Sequence, residues 1–264
     1  MRLVNLNISK IGNERDKTEL IRLEFIDESI VLLRMEDEQN KNCLSHNLVN
    51  SLEQKLTTLS QNNSIKVIIL VGLPSIFSAG ADLDTLKKLC IGEIQPVDIL
   101  LPKTLINVPV PLISAMEGHA TGGGLALGLC ADIVVLAEES RYGCSFMNMG
   151  FTPGMGITKL LEYFMSPAIA HEMLYTGSFK KGKELKVKTS FNNILPKQDV
   201  LPRAIEIARA IAEKPRSSLI TLKRYLNLRK RMIFEETLTL ESMMHDLTFK
   251  QDNVLQQIED NYVG

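Results

Sequence analysis

Apolar and polar residues alternate over the first part of the chain in a pattern that predicts two strands, a helix and a third strand. Residues 20–25 and 29–35 alternate with a period of about two around a short acidic turn, as in a β-hairpin. Ser45 is a suitable N-cap for a helix that runs to about residue 59, because leucines recur along one face of that segment. The β-branched run at 65–71 then indicates a buried parallel strand.

The most informative stretch is 109–137, where the pattern changes three times. An apolar run that ends at Met116 predicts a strand, the glycines at 122–124 predict a turn, and the small residues that follow predict a closely packed helix. Residues 132–137 return to a strand. A unit of this kind aims backbone N–H groups at one point, and glycines let a ligand approach them closely. The stretch therefore predicts either a tight structural turn or a site that stabilises an oxyanion.

A second loop of small residues, 77–83, follows the predicted strand at 65–71 and leads into a helix from Asp82 to about Leu89. A loop of this composition after a core strand can also present backbone N–H groups to a ligand. The rest of the chain is predicted to contain a Pro/Gly loop at 151–156, helices from about 157 and over 166–176, a short strand over 191–195, and C-terminal helices over about 200–213, 217–230 and 234–260.

Composition narrows the class of protein. The length of 264 residues allows one large domain or one domain with an appendage, and 45% hydrophobic residues suffice for a core. A net charge of −1 provides no basic footprint for nucleic acid, and no apolar run approaches the length of a membrane span. Residues 1–17 lack the apolar core of a secretion signal, so we expect residues 1–18 to be a loose extension of a cytoplasmic protein.

The four cysteines are scattered along the chain, at Cys43, Cys90, Cys130 and Cys144. They form no C-x-x-C pair. This spacing favours neither a zinc site nor a disulfide framework, and we expect buried structural thiols in a reducing compartment.

Three motifs, in order and spacing, resemble the crotonase (enoyl-CoA hydratase/isomerase) superfamily: residues 77–82, residues 118–124 with 131–133, and residues 152–156. The resemblance covers about residues 19 to 262. It implies an α/β fold with thioester substrates, in which a crotonase-type ββα spiral core takes up 19–197. A helical region over 198–264 is then expected to serve in trimer formation.

By the same resemblance, the backbone N–H groups of Ala81 and Gly123 bind the thioester oxygen. The hydratases of the family carry glutamates where this chain has Ala126 and Phe146. Both carboxylates that would handle water are therefore missing, and we expect no simple hydration or dehydration. Glu117 is close in sequence but precedes the glycine turn, so we expect its side chain to point elsewhere.

Segments 150–156, 213–223 and 243–249 further resemble one subgroup, the decarboxylases of polyketide β-branching. The resemblance implies loss of CO₂ from a 3-methylglutaconyl thioester on acyl carrier protein, with a 3-methylcrotonyl-type thioester as product. Phosphopantetheine of the carrier, or CoA, holds the acyl group, and no other cofactor or metal is expected because the conjugated thioester is itself the electron sink. The implied partners are the acyl carrier protein and other cassette enzymes, and the implied assembly is a homotrimer or a dimer of trimers.

The dienolate left by decarboxylation must be protonated by an acid with a pKa near working pH, which suits histidine. The resemblance places His245 over the acyl pocket as the leading candidate, with a buried structural role as the alternative. His119 lies inside the glycine turn and is a candidate for touching the substrate. We expect His46, at a helix start, and His171, on a solvated helix face, to lie on the surface.

The subgroup also uses a lysine near the loop at 77–83, which comes first in the chain and is called here the first oxyanion loop. Lys88 is the candidate here, Lys87 and the position of Gln95 are alternatives, and a solvated helix face is the competing interpretation for the lysines. In the first loop itself, Ala79 and Asp82 are expected to contact the substrate.

Two further groups of residues carry functional expectations. Phe146, Met147 and Met149 are expected to supply a poorly solvated site for the leaving carboxylate. Arg216 and Lys223 either face the phosphate or acidic helices of a carrier protein or are ordinary surface charges.

Two other functions stay open from the sequence. A Δ3,Δ2-enoyl thioester isomerase needs the same oxyanion hole and a single acid/base. A non-catalytic scaffold that binds polyketide synthase proteins needs only the surface of the fold. Release of CO₂ separates the decarboxylase from both.

Overall fold

The computed structural model describes residues 19–94, 100–186, 189–191 and 193–262. The extension predicted at 1–18 and the candidate Gln95 lie outside the described residues. Within them, strands form two sheets and helices surround both sheets.

The larger sheet contains the apolar runs that predicted buried strands. Its first pair of strands is antiparallel and the other pairs are parallel. Because helices cover both of its faces, the parallel strands are apolar almost throughout. In sheet order the strands are β1 (Ile21–Phe25), β2 (Ile30–Met35), β3 (Val67–Val71), β5 (Leu112–Met116), β7 (Ile133–Ala137) and β10 (Ile194–Leu195).

The helices pack on both faces of this sheet and extend beyond its edge at the C-terminal end of the chain. None of those described has the length and apolar content to cross a bilayer. They are α1 (His46–Gln61), α2 (Leu83–Cys90), α3 (Leu101–Asn107), α4 (Gly123–Leu129), α5 (Ile157–Phe164), α6 (Pro167–Thr176), α7 (Gly182–Lys186), α8 (Lys197–Ala212), α9 (Arg216–Leu226), α10 (Leu228–Thr248) and α11 (Val254–Asn261), with a 3₁₀ helix at Phe146–Met149.

The prediction of α1 is confirmed in detail. The Ser45 hydroxyl accepts a hydrogen bond from the Leu48 N–H at 3.3 Å, which satisfies one of the free donors at the helix start. The leucines of its apolar face are all buried: Leu48, Leu52, Leu56 and Leu59.

The predicted boundaries of the C-terminal helices are wrong. The helix predicted over 217–230 ends at Leu226, and the one predicted over 234–260 breaks after Thr248. Asn227 separates α9 from α10, and its side chain donates to the Asp132 carboxylate at 2.6 Å. Before α11, Asn253 has a left-handed φ of +70°, which asparagine tolerates better than most residues.

Alternate residues of one strand face two different cores. Ile30 and Leu32 of β2 pack on the side of α8, whereas Val31 and Leu33 pack on the side of α1. This alternation follows from the two-residue repeat of a strand and fixes the register of the sheet.

The smaller sheet positions the candidate site. Its strands are short, and in sheet order they are β4 (Ile76–Ser78), β6 (His119–Thr121), β8 (Arg141–Gly143) and β9 (Phe179–Lys181). Because β4 and β6 are parallel neighbours, the loops that follow them leave the same edge of the sheet side by side. These are the two loops that the sequence marked for backbone donors.

Candidate active site

The two small-residue loops approach each other so closely that only glycine fits at the contact. A Cβ atom on Gly80 would lie 2.7 Å from the carbonyl oxygen of Thr121 and 3.4 Å from the backbone nitrogen of Gly123. Gly80 and Gly122 also have φ values of +88° and +51°, in the region that glycine enters without strain. The glycines therefore let the first loop dock against the start of α4.

The N–H of Ala81 is aimed by a contact on the opposite side of its peptide. The Leu44 N–H donates to the Gly80 carbonyl at 2.7 Å. In a trans peptide the C=O and N–H point in opposite directions, so the Ala81 N–H points away from the backbone nitrogen of Leu44. In the described part of the chain, no acceptor is bound to the Ala81 N–H.

Gly123 supplies a second donor. It is the first residue of α4, so its N–H has no acceptor within the helix. Ala81 and Gly123 line the same cavity, of about 350 Å³ when the open solvent at its mouth is counted. Paired backbone donors on a cavity are the arrangement that binds the oxygen of a thioester as charge develops on it.

The rest of the cavity wall is mostly apolar. Phe146 stacks edge-on against Phe151 at 5.9 Å between ring centroids, and a Cβ on Gly122 would lie 3.3 Å from Cζ of Phe146. Among the described residues that line the cavity there is no carboxylate and no imidazole. They are Ala79, Gly80, Ala81, Leu86, Thr121, Gly122, Gly123, Ser145, Phe146, Met149, Phe151 and Tyr262.

At positions 126 and 146, where hydratases of the family carry glutamates, both the residue and its surroundings are apolar. Ala126 is fully buried in α4, and Phe146 forms part of the cavity wall. Glu117 does not line the cavity, and burial raises its pKa.

His245 lies one layer behind the cavity wall, on α10. Its Nε2 is 2.8 Å from the Thr152 carbonyl, so this nitrogen carries the hydrogen and donates. Its ring packs against Phe249 at 5.1 Å and Phe151 at 6.4 Å between centroids. A Cβ on Gly154 would lie only 2.5 Å from Cε1 of His245, so the Pro/Gly loop needs glycine there.

The second ring nitrogen of His245 is the unusual feature of this residue. Nδ1 is buried and has no hydrogen-bond partner in the described structure. Burial lowers the pKa of the imidazole, against an opposing effect from the bond to Thr152. In the neutral ring Nδ1 can accept a proton, and only after it has done so can it donate one; the route from Nδ1 to the cavity runs past Phe151.

Two residues that the sequence placed near the chemistry lie outside the cavity. Lys88 projects from α2 to the surface, where its Nζ pairs with Asp84 at 2.6 Å and its side chain is 43% exposed. His119 is exposed at the start of β6, and its Nδ1 accepts the Arg141 N–H at 3.0 Å. The helical repeat turns Lys88 away from the loop, and Lys87 instead pairs with Glu259 of α11 at 2.6 Å.

Asp82 and Met147 also have positions other than those expected. The Asp82 carboxylate caps α2 by accepting the Thr85 N–H at 2.6 Å, so a structural bond occupies it. Met147 is 41% exposed on the 3₁₀ helix, and Met149 lines the cavity instead. Ala79 does line the cavity, as the motif implied.

The expectation that Lys223 and Arg216 face a carrier protein is wrong for Lys223. Its Nζ is buried, donates to the Val110 carbonyl at 2.8 Å and pairs with Asp132 at 2.7 Å. Arg216 uses its Nε to donate to the Ile65 carbonyl at 2.9 Å. Both long side chains therefore fasten α9 to the sheet. His46 and His171 are exposed, as predicted.

The sequence missed two residues that shape the site. Tyr262 lines the cavity from the C-terminal end of the chain, and no local pattern points to it. Glu241 of α10 is buried and accepts hydrogen bonds from the Gly156 N–H at 2.6 Å and the Thr158 hydroxyl at 2.7 Å. Glu241 lies four residues before His245, so both side chains are on one face of the helix. This spacing is the sequence signal from which Glu241 could have been predicted.

A comparison with known families places this chain. The enoyl-CoA hydratase/isomerase family matches residues 26–261, which is most of the chain. The protein therefore belongs to that family, the crotonase superfamily, as the motifs implied.

Its relatives narrow the group. The bacillaene synthase decarboxylase PksI of Bacillus subtilis (strain 168) is 35% identical over 243 residues, which cover 92% of this chain and 98% of the relative. The ECH2 decarboxylase domain of CurF from Lyngbya majuscula superposes with a TM-score of 0.87 at 34% identity, covering 92% of this chain and all of that domain (100%). A structure from a dehydratase/decarboxylase enzyme couple involved in polyketide β-branching gives 0.89 at 35% identity, covering 93% and 100%.

Proposed function

We propose that this crotonase-family protein is a carbon–carbon lyase that decarboxylates a 3-methylglutaconyl-type thioester carried on acyl carrier protein. The product is a 3-methylcrotonyl-type thioester, from which a β-methyl branch of a polyketide is built. The observation that carries the proposal is the pair of N–H groups, of Ala81 and Gly123, that have no acceptor among the described residues, on a cavity whose described lining contains no carboxylate. Relatives described as decarboxylases over nearly the whole chain support it.

Loss of CO₂ breaks the bond to the distal carboxylate and leaves its electron pair in a dienolate. The charge spreads onto the thioester oxygen, where the N–H groups of Ala81 and Gly123 receive it. One such donor contributes about 3–4 kcal/mol of transition-state stabilisation. Because the thioester is the electron sink, the step needs only the phosphopantetheine or CoA that carries the acyl group.

The apolar wall assists the same step. A carboxylate that leaves as neutral CO₂ gains from a poorly solvated site, and Phe146, Met149 and Phe151 provide apolar surface there. The backbone N–H groups thus stabilise the negative charge that develops on the thioester oxygen. The apolar wall destabilises the carboxylate, whose charge is lost when CO₂ leaves.

The second step is protonation of the dienolate, for which we propose His245. The support is its buried and unpartnered Nδ1, which takes up a proton from solvent before the reaction and gives it to the dienolate, while Nε2 keeps its hydrogen bond to the Thr152 carbonyl. Because Phe151 separates the ring from the cavity, the proton passes either after a small rearrangement of Phe151 or through a water molecule. Lys88 lies at the surface and is given no role in this scheme.

We also propose that the protein assembles as a homotrimer, or a dimer of trimers, through α9 and α10. These helices expose several large apolar side chains, and such exposed apolar surface marks protein–protein contacts. Examples are Tyr225, Met232 and Leu247, whose exposed fractions are 77%, 66% and 73%. Light scattering on wild type and on Tyr225→Glu tests this, with Tyr175→Glu on α6 as a matched control. A trimer that persists in Tyr225→Glu would contradict the assignment of this surface.

The decisive experiment supplies synthetic 3-methylglutaconyl-acyl carrier protein and measures CO₂ and product mass. Release of CO₂ with a product lighter by one CO₂ is expected. A shifted double bond without CO₂ would instead identify an isomerase, and carrier binding without turnover a scaffold. Crotonyl thioester, followed by its enoyl absorbance, should not be hydrated, because Ala126 and Phe146 occupy the glutamate positions.

A further inference from the structure

The end of the chain reaches the first oxyanion loop. Tyr262 follows α11 directly and lines the cavity. Its hydroxyl donates to the Ala81 carbonyl at 3.2 Å and lies 3.6 Å from Sγ of Cys43. Burial raises the pKa of this hydroxyl, so it is a protonated donor throughout the neutral range.

The bond from Tyr262 completes the restraint of Ala81. The peptide before Ala81 is fixed by the Leu44 N–H, which donates to the Gly80 carbonyl at 2.7 Å. The peptide after it is fixed by the Tyr262 hydroxyl at the Ala81 carbonyl. Gly80 has a φ of +88° and, as a glycine, gives the loop conformational freedom. Without the two restraints, the direction of the Ala81 N–H would vary.

The position of Tyr262 is itself secured by contacts of α11. Val254 and Ile258 are buried, and Glu259 pairs with Lys87 of α2 at 2.6 Å. Since α2 begins directly after the first oxyanion loop, α11 and the loop are held against the same helix. The C-terminal segment thus forms part of the cavity rather than an appendage to it.

We infer that Tyr262 is a positioning residue for the oxyanion donor Ala81: its hydroxyl fixes the Ala81–Asp82 peptide so that the Ala81 N–H keeps its aim at a thioester oxygen. The inference rests on the proposed function only in taking a thioester as the ligand of that N–H. Tyr262 acts through the backbone and transfers no proton.

The test compares wild type with Tyr262→Phe and, as a matched control, Tyr175→Phe, which removes a phenol hydroxyl from a side chain that is 78% exposed on α6. The probe is 3-methylcrotonyl-pantetheine labelled with ¹³C at the thioester carbon. Infrared difference spectra report how far the bound C=O stretch is shifted by the donors. Turnover of 3-methylglutaconyl-carrier protein and the melting temperature are measured in parallel.

We expect Tyr262→Phe to bind the probe with a smaller C=O shift and to lower kcat by roughly 10- to 100-fold, because a slightly misplaced donor is costly. KM and the melting temperature should stay close to wild type, and Tyr175→Phe should match wild type in every measurement. An unchanged C=O shift in Tyr262→Phe, or no shift in wild type, would overturn the inference. Absence of CO₂ from wild type, with a C=O shift that Tyr262→Phe reduces, would refute the decarboxylase and leave Tyr262 in its role.

Discussion

Two regions of this protein differ in whether their hydrogen-bonding groups have partners. At the cavity, the N–H groups of Ala81 and Gly123 have no acceptor within the described structure. Along α9 and α10, the side chains of a buried polar row made of Lys223, Lys230 and Glu241 are all hydrogen-bonded.

Lys230 shows how complete the pairing in the row is. Its Nζ donates to the carbonyls of Leu129, Cys130 and Ala131 at 2.9, 3.0 and 2.8 Å, which uses all three of its hydrogens. These carbonyls end α4, the helix whose first N–H faces the cavity. One helix therefore has a saturated end that holds it and an open end that can bind a ligand.

The two regions therefore differ in the pairing of their polar groups. A buried polar group without a partner costs free energy, and a ligand that completes the pairing recovers that cost. His245 stands between the two regions, with one nitrogen bonded and the other free.

The largest effect is expected for Gly123→Pro, which should reduce decarboxylation below detection because it deletes an oxyanion donor. Proline is tolerated at the first position of a helix, but its Cβ meets Sδ of Met155 just as that of alanine does, so the fold of both variants is measured alongside activity. Gly123→Ala is the control, because it keeps the N–H while adding a Cβ that would lie 2.6 Å from Sδ of Met155. If circular dichroism shows a folded Gly123→Pro that decarboxylates as fast as wild type, the N–H of Gly123 has no catalytic role.

His245→Ala should slow turnover by about 10²–10⁴-fold, the usual contribution of a general acid. Solvent would then deliver the proton, so the position of deuterium in product made in D₂O should change. His245→Gln separates the two roles, since its amide can still donate to the Thr152 carbonyl but cannot titrate. Equal rates and equal deuteration in wild type and both variants would leave His245 only a packing role.

Glu241 should make the stability of the protein depend on pH. Burial raises its pKa from 4.5 to about 7. Between these values the folded chain holds a proton that the unfolded chain has released, so the free energy of unfolding should fall by up to about 3 kcal/mol as pH rises through this window. Urea unfolding from pH 4 to 8 measures this slope, which Glu241→Gln should flatten; parallel curves for the two proteins would contradict the assignment.

Lys230→Met should lower the free energy of unfolding by about 2 kcal/mol, because it leaves the carbonyls at the end of α4 without their donor. The change in kcat should be small, since the cavity lies at the other end of that helix. Lys250→Met is the control, because that side chain is 76% exposed and should change stability by less than about 0.5 kcal/mol. A large loss of kcat with little loss of stability would contradict this, and would show that the carbonyls at the end of α4 also affect the oxyanion donors at its start.

Much of the fold and part of the candidate site could be predicted from local sequence. The apolar face of α1 and its cap at Ser45 follow from helical spacing, and the loops at 79–82 and 122–124 follow from runs of small residues. The helix break after Thr248 could not be read locally, because it depends on where α11 packs. The direction of Lys88 and Met147 depends equally on packing.

The family, the two loops and the absence of glutamate at positions 126 and 146 follow from residue identity and short-range spacing alone. The groups that surround the loops depend instead on tertiary packing. Leu44 and Tyr262 both fix Ala81, and the contact between Cys43 and Tyr262 spans 219 positions of the chain. Local periodicity holds no information over such a distance, since that pairing is set by how the whole core packs.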